Sequence, residues 1–172
     1  MAAATFSSLI LLLQLLSLTT TFLFLKTSGA LVDNVCSQTR DPSLCSISLR
    51  SYPRSQTANL SDLAQMTINA AQDKAIDAKM KIHDYMLEAT DSKLRGLYSE
   101  CEDFYLDALD VFRAAPGELK GHQYGALHQL GMRVRGWVDG CEAAFDNNSP
   151  FKNENQVVGV LADAITVIAK NL

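Results

Sequence analysis

The sequence predicts an all-α protein: an antiparallel bundle of four long helices with an N-terminal helical hairpin and two disulfides. Residues 94–115 and 127–145 each carry apolar side chains at steps of three and four, the pattern of a helix with one buried face. Cys101 and Cys141 fall on those two stripes, so their thiols can meet in the core if the helices pack antiparallel. No strand-like alternation of apolar and polar residues competes anywhere in the chain.

Residues 1–30 come first and stand apart. Leu9 to Leu25 is mostly Leu, Phe and Thr without an acidic residue, and Ser28-Gly29-Ala30 supplies small residues for cleavage after Ala30. This is the layout of a secretory signal peptide, although its first residues lack Lys and Arg. An uncleaved anchor is the competing reading, because the apolar stretch approaches a spanning length of roughly 17 residues. The mature domain is expected over residues 31–172. No membrane association is expected after cleavage.

A short helix is expected over 31–39. Asp41-Pro42 breaks it, because a proline bars its predecessor from helical geometry. Pro42 is well placed to open the next helix, which runs to about Arg50 before Pro53. This hairpin is too small to hold a core of its own, so it either packs on the bundle or extends from it. A long helix follows over 60–89, rich in Ala64, Ala71, Ala75 and Ala78, which favour helix and let neighbours come close. Asp91-Ser92 ends it and offers an N-cap for the helix that contains Cys101. Pro116-Gly117 is expected to end that helix, with 118–123 as a polar connection. Gly131, Gly136 and Gly140 in the next helix read as local bends or fraying rather than close packing. Asp146 to Pro150 forms a loop, and the last helix spans 152–171, burying Val157, Val160, Leu161, Ala164 and Ile168.

The chain carries 15 Lys and Arg against 19 Asp and Glu, with no basic run, so nucleic acid is not an expected partner. All four cysteines lie beyond the leader; an even count in an exported chain implies disulfides rather than free thiols. Of the three connectivities, sequence order favours Cys36–Cys45, which is local, and Cys101–Cys141, which lies on matched faces.

No catalytic residue, metal site or cofactor is expected. GxSxG, P-loop, HExxH and CxxC motifs are absent. His83, His122 and His128 have no Glu three residues before them, as a di-iron bundle requires, and read as surface or rim residues. Glu100, Glu102, Asp103, Asp107 and Asp110 read as the solvated side of an amphipathic helix, the sharper alternative being a charged docking face. Trp137 lies close to the buried stripe and reads as core. Asn59-Leu60-Ser61 is an N-glycosylation sequon; Asn147-Asn148-Ser149 is a second match, weakened by Pro150.

The run Cys36-Ser37-Gln38-Thr39-Arg40-Asp41-Pro42-Ser43-Leu44-Cys45 resembles the opening of the plant invertase/pectin methylesterase inhibitor family. So do Tyr52-Pro53-Arg54-Ser55, the run Ile68-Asn69-Ala70-Ala71-Gln72, and Cys101, Tyr105, Cys141, Phe145 and Ser149-Pro150 in that order. The resemblance covers about residues 31–172. It implies an up-and-down four-helix bundle with an N-terminal hairpin, disulfides in the order above, and a secreted, non-enzymatic inhibitor. Its partner would be pectin methylesterase or acid invertase, bound one to one.

Many pectin methylesterase inhibitors of this family carry Thr directly before the fourth cysteine and Asp two after it. Those positions are Gly140 and Ala143 here. Invertase inhibitors of the cell-wall type carry a Pro-Lys-Phe loop between the helices of the third and fourth cysteines. Here the connection reads Lys120-Gly121-His122-Gln123-Tyr124. It looks nearer the Gly-Asp-Tyr of the pectin methylesterase side, which is the favoured target. The expected destination is the apoplast or cell wall, with the vacuole as alternative. A secreted bundle with a structural or signalling role is the third reading.

Overall fold

A computed structural model describes residues 29–172; the expected leader lies outside the described residues. Six α-helices and one 3-10 turn follow in order: α1 (Ala30–Cys36), α2 (Pro42–Arg50), the turn Pro53–Gln56, α3 (Leu60–Glu88), α4 (Ser92–Lys120), α5 (Tyr124–Ala144) and α6 (Lys152–Asn171). No strand occurs among the described residues. The long helices α3 to α6 alternate in direction, with α3 and α5 on opposite corners and α4 and α6 between them.

Local chemistry explains three of the six helix starts. Asp41 accepts the Leu44 N–H at 2.9 Å and Pro42 opens α2; Asn59 accepts the Asp62 N–H at 2.8 Å; Asp91 accepts the Leu94 N–H at 2.7 Å. The alanines of α3 at 64, 70, 71, 75 and 78 are all buried, so its neighbours come close to its backbone. Between α4 and α5, Cys101 is bonded to Cys141, with Cα atoms 4.9 Å apart.

The α1–α2 hairpin, closed by Cys36–Cys45, lies on α6 rather than extending from the bundle. It buries Val32, Val35 and Leu49. Arg40, between its two helices, reaches Asp163 on α6 with Nε at 3.0 Å and Asp139 on α5 with Nη1 at 2.5 Å. Arg135 approaches the other Asp163 oxygen at 3.4 Å. Hence Asp163 can sit nearly buried within the apolar run of residues 157–165: two guanidinium groups face it. With the hairpin on one side and the bundle on the other, α6 buries Val158 and Ile165 besides Val160, Leu161, Ala164 and Ile168 of its expected stripe, and leaves Val157 half-buried.

Three sequence expectations are corrected. Helix α4 does not stop at Pro116 but runs on to Lys120. Ala115 and Leu119 are both buried, so the apolar stripe of Phe112 continues beyond the proline. Burying Leu119 contributes on the order of 2 kcal/mol, which offsets much of the ~3 kcal/mol a helical proline costs. The connection to α5 is therefore only residues 121–123, fastened by the Gly121 and Gln123 N–H groups on the Gly117 and Glu118 carbonyls. Gly131 is a close-packing position: a Cβ there would lie 2.4 Å from Thr166 Oγ1 and 2.7 Å from the Ala162 carbonyl of α6. Trp137 is half-buried rather than core, and Arg133 lies over its ring at 5.7 Å.

Candidate functional site

The features singled out in the sequence separate to the two ends of the bundle. Gly140, Cys141 and Ala143 lie near the end where α5 passes to α6. The Gly121–Gln123 turn and Asn59 lie at the other end, since α3 and α5 both begin there and α4 finishes there. Gly140 stands 16 residues beyond Tyr124 on one helix, which is about 24 Å at 1.5 Å per residue.

Cys101 and Cys141 are fully buried and hold α4 against α5 from beneath. Above them, the outer side of this helix pair presents an unusual surface. Arg133, Gly136, Gly140 and Ala143 follow one stripe of α5 at helical spacing. A Cβ on Gly136 would meet nothing within 4 Å, so no packing inside the chain requires that glycine. A Cβ on Gly140 would make ordinary contact with the Phe104 ring of α4 at 3.4 Å. Trp137 and Phe104 are half-buried beside the stripe. The antiparallel register set by Cys101–Cys141 and by Phe104 against Gly140 brings Asp107 about level with Gly136, and Glu100 about level with Ala143. The result is a shallow strip of bare helix backbone with two aromatic rings along it and a row of carboxylates on one flank.

Of that acidic row, Glu100, Asp103, Asp107 and Asp110 are exposed. Glu102 is not part of it. It turns to α3, where Lys79 Nζ lies 3.1 Å and His83 Nδ1 3.0 Å from its carboxylate. His122 lies in the short turn with Nδ1 2.5 Å from the Tyr124 hydroxyl, and His128 is half-buried. Among the described residues no group of three or more His, Cys, Asp or Glu is placed to hold a metal ion. The larger surface grooves, about 420 and 490 Å³, lie beside the hairpin rather than between α4 and α5.

The end of the bundle beside Gly140 is locked by a network that periodicity does not reveal. Tyr105 donates to Asn155 Oδ1 at 2.7 Å, and Asn155 Nδ2 donates to Glu142 at 2.7 Å. The Ser149 hydroxyl donates to the same carboxylate at 2.5 Å, and the Ser149 N–H at 3.2 Å. Burial pushes the Glu142 carboxyl up, but the Ser149 and Asn155 hydrogen bonds and the Lys152 charge outweigh it and hold it below its ordinary value. Burial pushes the Tyr105 phenol up, so it stays a neutral donor. Tyr85, Tyr98, Phe145 and Phe151 cluster over the same end, with centroid separations from 5.2 Å for the stacked Tyr98–Phe145 pair to 6.3 Å for the tilted Tyr85–Phe151 pair. The α5–α6 loop is thus tied through Ser149 to α5 and α6 at the end of the bundle beside Gly140.

Because Glu142 is depressed in the fold, its contribution is full above the unfolded carboxylate range near pH 4.3 and is lost as pH falls through the folded-state value. Glu142→Gln is expected to lower stability at pH 7 by on the order of 1 kcal/mol and to shallow the acid limb of the stability–pH curve. Urea titrations between pH 2 and 7 read this; superimposable acid limbs for variant and wild type would contradict it.

Comparison with known proteins follows the same architecture. Residues 30–169 match the family model described as plant invertase/pectin methylesterase inhibitor. The chain is 32% identical over 145 residues to a pectinesterase inhibitor of Actinidia deliciosa, covering 84% of this chain and 78% of that protein. It is 24% identical over 124 residues to pectinesterase inhibitor 2 of Arabidopsis thaliana, covering 72% and 70%. In fold it is similar to the crystal structure of a mutant form of a pectin methylesterase inhibitor from Arabidopsis. The TM-score is 0.72 at 22% identity, covering 80% of this chain and 94% of that one. With a family match over nearly all the described helices, and a relative 32% identical over 84% of the chain, this chain belongs to the plant invertase/pectin methylesterase inhibitor family.

Proposed function

We propose that this protein is an exported inhibitor of pectin methylesterase that docks one to one through the outer side of α4 and α5 and occludes the enzyme's substrate cleft. The family consists of inhibitor proteins, not enzymes. Among the relatives, the Actinidia protein is named a pectinesterase inhibitor. The observation that carries the docking mode is the run of Gly136, Gly140 and Ala143 beside the half-buried Trp137 and Phe104; Gly136 has no packing reason inside the chain, a property it shares with Gly96, Gly117 and Gly125, so it is the run beside the two rings that marks this surface. Such a run leaves room for a partner to approach the helix backbone. Trp137 and Phe104 supply half-exposed aromatic anchors beside it. The disulfide and the Glu142 network preorganise the surface, so docking loses little conformational entropy. No covalent step is involved; the helix pair displaces substrate by filling its groove.

The leader reading, the mature start near residue 31 and the apoplast as destination belong to this proposal. Acid invertase is the alternative target, and the decisive experiment titrates the mature protein against both enzymes at mildly acidic pH. Inhibition of pectin methylesterase alone supports the proposal. Inhibition of invertase alone replaces the target, and full activity of both enzymes returns the protein to a structural or signalling role.

Two further outcomes are expected. Gly136→Arg should keep the helical circular dichroism yet weaken inhibition at least tenfold, whereas Met80→Arg, exposed on the opposite corner helix α3, should leave inhibition unchanged. Equal inhibition by both variants would move the docking surface elsewhere. The exposed carboxylates of α4 in a chain of formal net charge −4 should steer it towards a basic target. Inhibition should therefore weaken as salt rises, and a salt-independent inhibition constant would count against steering.

A further inference from the structure

We propose that Asn59 carries an N-linked glycan that stands at the end of the bundle holding the Gly121–Gln123 turn and bars that end from a partner's cleft, leaving the side of α4 and α5 for docking. The glycan rests on export through the secretory pathway, and its consequence for docking rests on the inhibitory function proposed above.

The sequon Asn59-Leu60-Ser61 says only that modification can occur. The fold adds three facts. Asn59 and Ser61 are both exposed. The Asn59 amide is already oriented, because Oδ1 accepts the Asp62 N–H at 2.8 Å as the N-cap of α3. Among the described residues nothing accepts from Nδ2, the atom that a glycan would use. The two halves of the amide therefore have separate tasks, and a sugar on Nδ2 leaves the cap intact. Directly beside Asn59, a surface groove of about 400 Å³ between Arg54, Thr57, Ala58, Asp62, Gln65 and Met66 gives the first sugar both polar and apolar neighbours.

The second match, at Asn147, is differently placed. Its Ser149 is nearly buried, with the hydroxyl committed to Glu142. Asn147 itself sits at φ 63°, and its carbonyl accepts from Lys152 Nζ at 2.8 Å. One glycan is therefore expected, not two.

In the transfer step Asn59 Nδ2 forms a bond to C1 of an oligosaccharide carried on a lipid pyrophosphate. The C1–O bond breaks, the lipid pyrophosphate leaves with the electron pair, and Nδ2 gives up one proton to a base. The Asn59 corner belongs to α3, diagonal to α5, and lies at the far end from Gly140. A flexible hydrated oligosaccharide there obstructs an end-on approach but not a side-on one.

The test expresses the full chain in plant secretory cells and analyses the protein from the medium by peptide mass mapping, before and after enzymatic removal of N-glycans. Ser61→Ala deletes the sequon while keeping the Asn59 cap, and Asn147→Gln deletes the second match. The expected result is one glycan, absent from Ser61→Ala and retained in Asn147→Gln. Inhibition of pectin methylesterase should differ less than twofold between glycosylated and deglycosylated protein. Secreted protein with unmodified Asn59, or no protein in the medium, overturns the glycan. A tenfold gain in inhibition on deglycosylation overturns its placement away from the docked surface. Glycosylated Asn59 with no inhibition by either form upholds the glycan, overturns its docking consequence and sinks the inhibitory function.

Discussion

Replacing Cys101 and Cys141 together by alanine is expected to lower the unfolding free energy by about 4 kcal/mol. The bridge closes a loop 40 residues long and so restricts the unfolded chain over a large part of its length. The same treatment gives only about 2.5 kcal/mol for Cys36–Cys45, with a separation of 9 residues. The order of the two double variants is therefore part of the expectation. Against a total stability of roughly 5–15 kcal/mol for a domain of this kind, the long bridge is a large fraction, and its loss should also release α4 from α5 beneath Phe104 and Gly140. Urea unfolding at neutral pH under oxidising conditions measures both variants. A loss below about 1 kcal/mol for the long bridge, or a larger loss for the short one, would show that the clamp does not act as described.

Two glycines on one helix should respond in opposite directions to the same added methyl group. Gly131→Ala is expected to destabilise by about 2 kcal/mol even though alanine favours helix by up to about 1 kcal/mol. The new Cβ would lie 2.4 Å from Thr166 Oγ1 and 2.7 Å from the Ala162 carbonyl. Thr166 Oγ1 itself donates to that carbonyl at 3.0 Å, so a change of rotamer loses a hydrogen bond, and the carbonyl belongs to the α6 backbone. Relief therefore requires α5 and α6 to separate. Gly136→Ala meets no atom within 4 Å and should stabilise by up to about 1 kcal/mol. Midpoints of urea unfolding at constant slope read both changes. A raised midpoint for Gly131→Ala would mean that α5 and α6 do not approach as closely as the fold requires.

The candidate surface was legible in part. Gly140 and Ala143 could be singled out through the family resemblance, as the positions directly before and two after Cys141, and the acidic residues of α4 by their spacing. Their assembly with Gly136, Trp137 and Phe104 could not, because a glycine in a helical pattern has the same sequence signature whether it faces a neighbouring helix or open solvent. Gly131 and Gly136 are five residues apart and have opposite reasons for being glycine. The Glu142 network was hidden for a related cause: Tyr105, Glu142, Ser149 and Asn155 come from α4, α5, the following loop and α6. Only Tyr105 and Ser149 had drawn attention beforehand, through the family resemblance and not as hydrogen-bonding partners.

By itself the sequence determined what is local: six helices, the Asp91 cap, the two apolar stripes that carry Cys101 and Cys141, and the absence of strands among the described residues. Periodicity and capping are properties of neighbours in the chain, so they can be read without knowing what lies opposite. Tertiary structure alone decided the continuation of α4 past Pro116, the seating of the hairpin on α6, the buried Asp163 between Arg40 and Arg135, and the contact at Gly131. A repeat of 3.6 residues records that a face is buried but not against which surface, and each of these features depends on the identity of that surface.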